Sequence, residues 1–308
     1  MTARRVYAPD MRGHGKSSWT PGGYHMEGFA DDIEAFVSGV VGESVVLCGH
    51  SLGGQVAVQT AARRPDLVLG LVIGDAPFDR ARAKAALAGE RARIEMWRDL
   101  ARPGLPVDEI RGRLLNMPIA GSEGPVPARQ VFGEDSSWFD FMAQTLSEHD
   151  PAMLDAVIEF DRMHAAYDYE RLLPRIECPT LIIQADPVLG GMSDEEVERG
   201  LALIRDGGAV KLKGIGHPLF YPDPAPALRA IVDVPCHLGW VSCTACGRCV
   251  RHPGDYLFLC FVMPSRHTCW MMLGVPAVVV TPITLRMNRS LASCASMLAA
   301  RSARPSPS

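Results

Sequence analysis

A serine framed by glycines stands at Gly49-His50-Ser51-Leu52-Gly53-Gly54, directly after the apolar run Val45-Val46-Leu47-Cys48. A short β-type run, then Gly-x-Ser-x-Gly, then a helix-forming segment from Gln55 to Arg64 is the pattern of a nucleophile elbow. A tight strand-to-helix turn strains the serine backbone, and the glycines leave room for it. The helix that follows would aim its positive end at the serine oxygen and favour negative charge developing there.

A serine hydroxyl is a weak nucleophile near neutral pH. It needs a histidine to accept its proton and an acid to orient that histidine. In an elbow-type arrangement the chain order is serine, acid, histidine. His217, in Gly214-Ile215-Gly216-His217 after the last apolar strand pattern, is the expected base. The acid has three candidates. Asp186, closing Thr180-Leu181-Ile182-Ile183-Gln184-Ala185, comes first; Asp194 lies further along the same loop; Asp75 follows the Val68–Ile73 run on a neighbouring strand. Asp commonly serves turn chemistry instead. His50 reads as packing, Arg12 and His14 as structural members of a glycine-rich loop, and Cys48 as an inert core thiol.

The elements that must position these residues alternate. Arg5–Ala8 reads as a strand and Phe29, Ile33, Phe36, Val37 and Val40 as one face of a helix. Val45–Cys48 and Val68–Ile73 are apolar runs typical of parallel strands covered on both faces. Between 77 and 175 the pattern turns helical with intervening prolines and no β-type run, which predicts a helical cap. Trp97, Trp138, Phe139, Phe141, Met142 and Met163 in it would form the cap core or line an acyl pocket. Alternation then resumes: a strand at Thr180–Gln184, a capping box at Ser193-Asp194-Glu195-Glu196 opening a helix, and a strand at Ala209–Leu212. The predicted class is α/β, a doubly wound, mostly parallel sheet.

Residues 4 to about 233 resemble the α/β-hydrolase superfamily. The resemblance rests on Val6-Tyr7-Ala8-Pro9-Asp10-Met11-Arg12-Gly13-His14-Gly15-Lys16-Ser17, the elbow at 49–54, Pro179-Thr180-Leu181-Ile182-Ile183-Gln184-Ala185-Asp186, and Gly214-Ile215-Gly216-His217. It implies a serine hydrolase with Ser51 as nucleophile, His217 as base, a loop Asp as orienter, the Leu52 N–H as one oxyanion donor and a cap governing access. Serine at the elbow argues against the dehalogenase and epoxide-hydrolase branches, which use Asp there. The family acid motif is usually Gly-x-x-Asp, from which Ala185-Asp186 departs. The family's first three strands and the loop carrying a second oxyanion donor are missing. This predicts an incomplete core, with the strands at Arg5 and Val45 lacking a shared neighbour, and a chain that is a fragment.

The expected division is 1–76 and 176–234 for the core, 77–175 for the cap, and a Cys-rich tail at 235–308. Seven of the nine cysteines fall in that tail, so the body reads as reduced and cytoplasmic. Cys243-x-x-Cys246-x-x-Cys249, with His252 or Cys236, has spacing compatible with zinc or iron–sulfur ligation. Scattered Cys, Trp, Met and Arg favour a tail that is not an evolved domain, and metal is not expected. A lesser option adds Tyr256–Val262 and Val275–Leu285 to the sheet as strands, and His237-Leu238-Gly239-Trp240 faintly resembles the missing oxyanion loop.

With 308 residues, 47% hydrophobic and 21% charged, the chain suits a globular protein, and its net charge of −4 disfavours general nucleic-acid binding. No signal-peptide pattern or uncharged run of membrane-spanning length is present, so no membrane partner is expected. No Gly-x-Gly-x-x-Gly loop appears, so no cofactor is implied. The expected reaction is cleavage of a small or medium apolar carboxylic ester through an acyl-enzyme. The alternatives are a catalytically impaired fragment lacking half its oxyanion hole, or carbon–carbon bond hydrolysis or perhydrolysis by the same residues.

Overall fold

The computed structural model describes residues 5–121, 124–220, 223–233, 258–261 and 279–281. Strands β1 (Arg5–Tyr7), β2 (Val45–His50) and β3 (Val68–Gly74) alternate with helices α1 (Met26–Phe36) and α2 (Leu52–Arg63). The segment above them holds α3 (Arg80–Leu100), α4 (Val107–Leu115), β4 (Pro118–Gly121), β5 (Gly124–Pro127), α5 (Ala128–Phe132), α6 (Ser137–Ser147), α7 (Pro151–Ile158), α8 (Phe160–Met163) and α9 (Tyr169–Leu172). Then come β6 (Thr180–Ala185), α10 (Asp194–Leu203), β7 (Gly207–Leu212), α11 (Ala225–Asp233), β8 (Phe258–Phe261) and β9 (Val279–Thr281).

The main sheet runs β7-β6-β3-β2-β8-β1-β9, and every pairing in it is parallel. Alternation along the central strands sends side chains to two faces. Val45 and Leu47 of β2, Leu71 and Ile73 of β3 and Ile182 of β6 join Phe29, Ile33, Phe36, Val58, Ala61 and Val197 from α1, α2 and α10. Val46, Cys48, Val72, Leu181 and Ile183 instead meet Ala227, Ala230 and Ile231 of α11. A sheet with helices on both faces buries both side-chain sets, which is why these strands are apolar throughout.

Two expectations need correction. The strands at Arg5 and Val45 do share a neighbour: β8 lies between them, with Val6 and Val46 both in register with Phe258. β9 pairs with the other side of β1, Val6 opposite Val280. Parts of the tail thus occupy the sheet positions expected to be empty. The cap also contains a hairpin, with Pro118 opposite Pro127 and Gly121 opposite Gly124. Proline-rich short strands carry little β signal in sequence, which hides it. Cys236, Cys243, Cys246, Cys249, His252 and the 237–240 segment lie outside the described residues.

The cap has its own core. Ile94, Leu100, Ile110, Leu114, Phe139, Ala143, Leu146 and Leu154 pack together, with Trp97, Trp138 and Met142 against them. Met163 instead joins the main core. The cap is tied down on the glycine-rich loop. Tyr24 donates its hydroxyl to Asp150, the Asp150 N–H reaches the Gly13 carbonyl at 2.8 Å, and Lys16 pairs with Glu148 at 2.6 Å. Arg12 braces that loop by donating from Nε and Nη2 to the two carboxylate oxygens of Asp32, at 2.5 and 2.6 Å. No helix among the described residues is long and apolar enough to cross a membrane.

Candidate active site

Ser51 sits at the joint between β2 and α2 with φ 55° and ψ −122°. L residues rarely adopt that backbone, and it persists only where packing holds it. The surroundings explain the glycines. A Cβ on Gly49 would stand 2.2 Å from the Gly53 carbonyl oxygen, and one on Gly54 would stand 2.6 Å from the Ala76 Cβ. The turn closes through Gly54 N–H to the Ser51 carbonyl at 3.0 Å. Leu52 opens α2, so its amide belongs to the positive end of that helix.

His217 Nε2 lies 3.0 Å from Ser51 Oγ, and His217 Nδ1 lies 2.6 Å from Asp75 Oδ2. The acid beside the imidazole is therefore Asp75, the third candidate, and not Asp186. Asp75 is fully buried, whereas the His217 side chain keeps 38% exposure and faces solvent at the rim. Burial pushes the Asp75 carboxyl up. The hydrogen bond with His217 and the amides of Gly191 and Ala185 outweigh it, leaving the pKa below the ordinary value. Deprotonated Asp75 makes His217 Nδ1 the donor and leaves Nε2 to accept the serine proton.

Asp186 and Asp194 do structural work. Asp186 accepts the amides of Val188 at 3.2 Å and Gly214 at 2.9 Å, which lowers its pKa and joins the loop after β6 to the loop carrying His217. Asp194 pairs with Lys211 at 2.6 Å and accepts from Gln184 at 2.8 Å. The signal for Asp75 was present at Gly74-Asp75-Ala76-Pro77, a carboxylate among small residues just past a buried strand, like the elbow itself. What sequence does not reveal is which strand end lies nearer the histidine.

The three loops are laced by backbone bonds. Ser51 N–H donates to the Gly74 carbonyl at 2.9 Å, Asp75 N–H to Ile183 at 2.7 Å, and His217 N–H to Leu189 at 3.1 Å. Ser51, Asp75 and His217 thus hang from β2, β3 and the end of β7, at the carboxyl edge of one parallel sheet, where open α/β sheets place their sites. His50, expected as packing, is buried and lies 2.6 Å through Nε2 from the His217 carbonyl oxygen. Among the described residues no three His, Cys, Asp or Glu side chains are grouped to hold a metal ion.

The sequence agrees with known proteins over most of this region. Residues 2–230 match the model of the alpha/beta hydrolase family. A 2-(acetamidomethylene)succinate hydrolase of Mesorhizobium japonicum is 33% identical over 140 residues, which are 41% of this chain and 50% of that one. The chain thus spans about half the length of that relative. A bifunctional esterase/perhydrolase of Acinetobacter calcoaceticus is 24% identical over 224 residues, 69% of this chain and 75% of that one. The solved structure of a thermophilic esterase from Thermogutta terrifontis superposes with a TM-score of 0.53 at 22% identity, over 77% of this chain and 91% of the other. Elbow, sheet order, cap and the match across residues 2–230 together make this chain a member of the alpha/beta hydrolase family.

Proposed function

We propose that this chain is a serine hydrolase that cleaves a small or medium apolar carboxylic ester through an acyl-enzyme. The observation that carries the reading is the continuous relay from Ser51 Oγ to His217 Nε2 at 3.0 Å and from His217 Nδ1 to buried Asp75 at 2.6 Å. In it His217 takes the serine proton as Ser51 attacks the ester carbonyl, then returns it to the departing alcohol. Asp75 holds the imidazole in the required tautomer and steadies the imidazolium. The Leu52 N–H and the α2 N-terminus face the developing oxyanion. Water then repeats the sequence on the acyl-serine, and no cofactor takes part. Two buried free thiols, Cys48 and Cys178, suit a reducing, cytoplasmic setting.

The ester assignment draws support from relatives whose names include an esterase/perhydrolase and a thermophilic esterase. The same residues would serve perhydrolysis, with peroxide replacing water at the acyl-enzyme. Turnover of a p-nitrophenyl ester series by the wild type and by Ser51→Ala tests the reading. We expect activity to vanish in the variant and a fluorophosphonate probe to label Ser51. Equal rates in the two proteins would overturn the assignment.

A further inference from the structure

The His217 carbonyl oxygen accepts two hydrogen bonds, one from the Leu219 N–H at 2.8 Å and one from His50 Nε2 at 2.6 Å. Because a carbonyl can only accept, the His50 tautomer is fixed with its proton on Nε2. His50 is the residue immediately before Ser51. Residues 50 and 51 therefore grip opposite ends of one residue: Ser51 meets the His217 ring tip, and His50 meets the His217 backbone. The His50 ring also lies 4.8 Å from the His217 ring, tilted by 40°, and edge-on to Phe220 at 6.1 Å. It is 7% exposed, and burial pushes its pKa down to about 3, so it stays a neutral single donor. The charged or titratable groups facing it are His217 and Asp75.

The loop bearing His217 is half open to solvent, and its other tethers run to the loop after β6: His217 N–H to the Leu189 carbonyl at 3.1 Å, Gly214 N–H to the Asp186 carboxylate at 2.9 Å, and Asp186 N–H to the Ile215 carbonyl at 2.8 Å. Leu189 is itself exposed. A base on such a loop drifts unless something rigid fixes it. β2 is rigid, buried over all six residues and paired on both sides.

We propose that His50 is a positioning residue that locks the His217 main chain to the nucleophile elbow, setting the Ser51–His217 distance from the strand that carries the serine. The proposal rests on the serine-hydrolase reading above but concerns the loop, not the chemistry.

His50→Phe removes the donor at similar volume, and His50→Gln restores an amide donor that reaches a similar position. In His50→Phe, kcat for ester hydrolysis and the rate of Ser51 labelling fall on the order of 10²-fold, the effect of an ångström-scale misplacement, with KM and melting temperature little changed. His50→Gln recovers about tenfold, the order expected of one buried hydrogen bond. A second readout needs no activity: the downfield proton resonance of the His217 Nδ1–H held by Asp75 broadens or disappears in His50→Phe and returns in His50→Gln. A Phe variant with wild-type kcat and an unchanged resonance overturns the proposal, as do Phe and Gln variants that are equally slow. Failure of wild-type Ser51 to label or turn over would instead defeat the hydrolase reading, and the resonance comparison would still decide the role of His50.

Discussion

Ser51 and Asp75 share a rare backbone: with φ of 55° and 39° they are the two non-glycine residues of positive φ among the described residues. They are also coupled, because the Ser51 N–H donates to the carbonyl of Gly74, the residue before Asp75. Each stands one residue past the end of its strand, β2 or β3, and the turn lifts each side chain over the sheet edge toward His217. Two strained positions side by side, both directed at one imidazole, mark where the fold spends stability on geometry.

Asp75 and Asp186, two of the three candidate acids, separate by substitution. Asp75→Asn keeps the shape but presents the wrong partner to His217 Nδ1, so kcat should fall roughly 10³–10⁴-fold. Asp186→Asn disturbs only amide bonds from Val188 and Gly214 and should cost less than about tenfold, through loop order. Ester turnover of the two variants, with melting curves to confirm folding, checks the ranking. A larger loss in Asp186→Asn would reverse the assignment.

Acid should destabilise the protein well before its carboxylates titrate. His14, His50 and His164 are pushed by burial to about 4, 3 and 4, and His149 well below its ordinary value. For a histidine with a depressed native pKa, the unfolded chain binds the proton first. Stability is therefore full above about 6.5 and declines as pH falls from there toward the native value. His14 and His149 stack edge-to-face at 4.5 Å where the cap meets the glycine-rich loop, so charging either one strains that junction. Unfolding free energies from urea melts at pH 7.5 and pH 5 should differ by roughly 1–2 kcal/mol per buried histidine. Histidine-to-glutamine changes at 14 and 149 should flatten the slope.

Glu196 is the pin between cap and core. One carboxylate oxygen accepts the amides of Phe78 at 3.1 Å and Asp79 at 2.8 Å. The other accepts Ser193 N–H at 2.9 Å, completing a capping box, and also pairs with Arg82. Glu196→Ala strands several donors at a buried site. It should lower stability by about 2–4 kcal/mol in urea melts, with glutamine recovering part of the loss. The same variant should raise KM more than it lowers kcat, since it loosens the start of the cap and leaves Ser51 and His217 in place.

Removing residues 234–308 tests the sheet. The deletion takes out β8, which joins β1 to β2, and β9, which covers the outer side of β1. It would leave the backbone of β1 and one edge of β2 unpaired. We expect a protein with reduced solubility and no cooperative melt. A shortened chain that melts at the same temperature would mean that these pairings contribute little.

Local chemistry made much of this protein legible before folding was considered. The glycines at 49, 53 and 54, the apolar runs at Val45 and Val68, the capping box at Ser193 and the His217 loop each carry their own physical reason within a few residues. Local steric and hydrogen-bond rules act over that range, so the elbow and the strand–helix alternation could be read directly. Tertiary structure alone decided which carboxylate meets His217, that His50 holds its carbonyl, and that Phe258 lies between Val6 and Val46. Those pairings join residues 142, 167 and more than 200 positions apart. They depend on the order in which strands lie across the sheet. Aspartates after β3 and β6 look alike along the chain, and only the distance across neighbouring strand ends tells them apart.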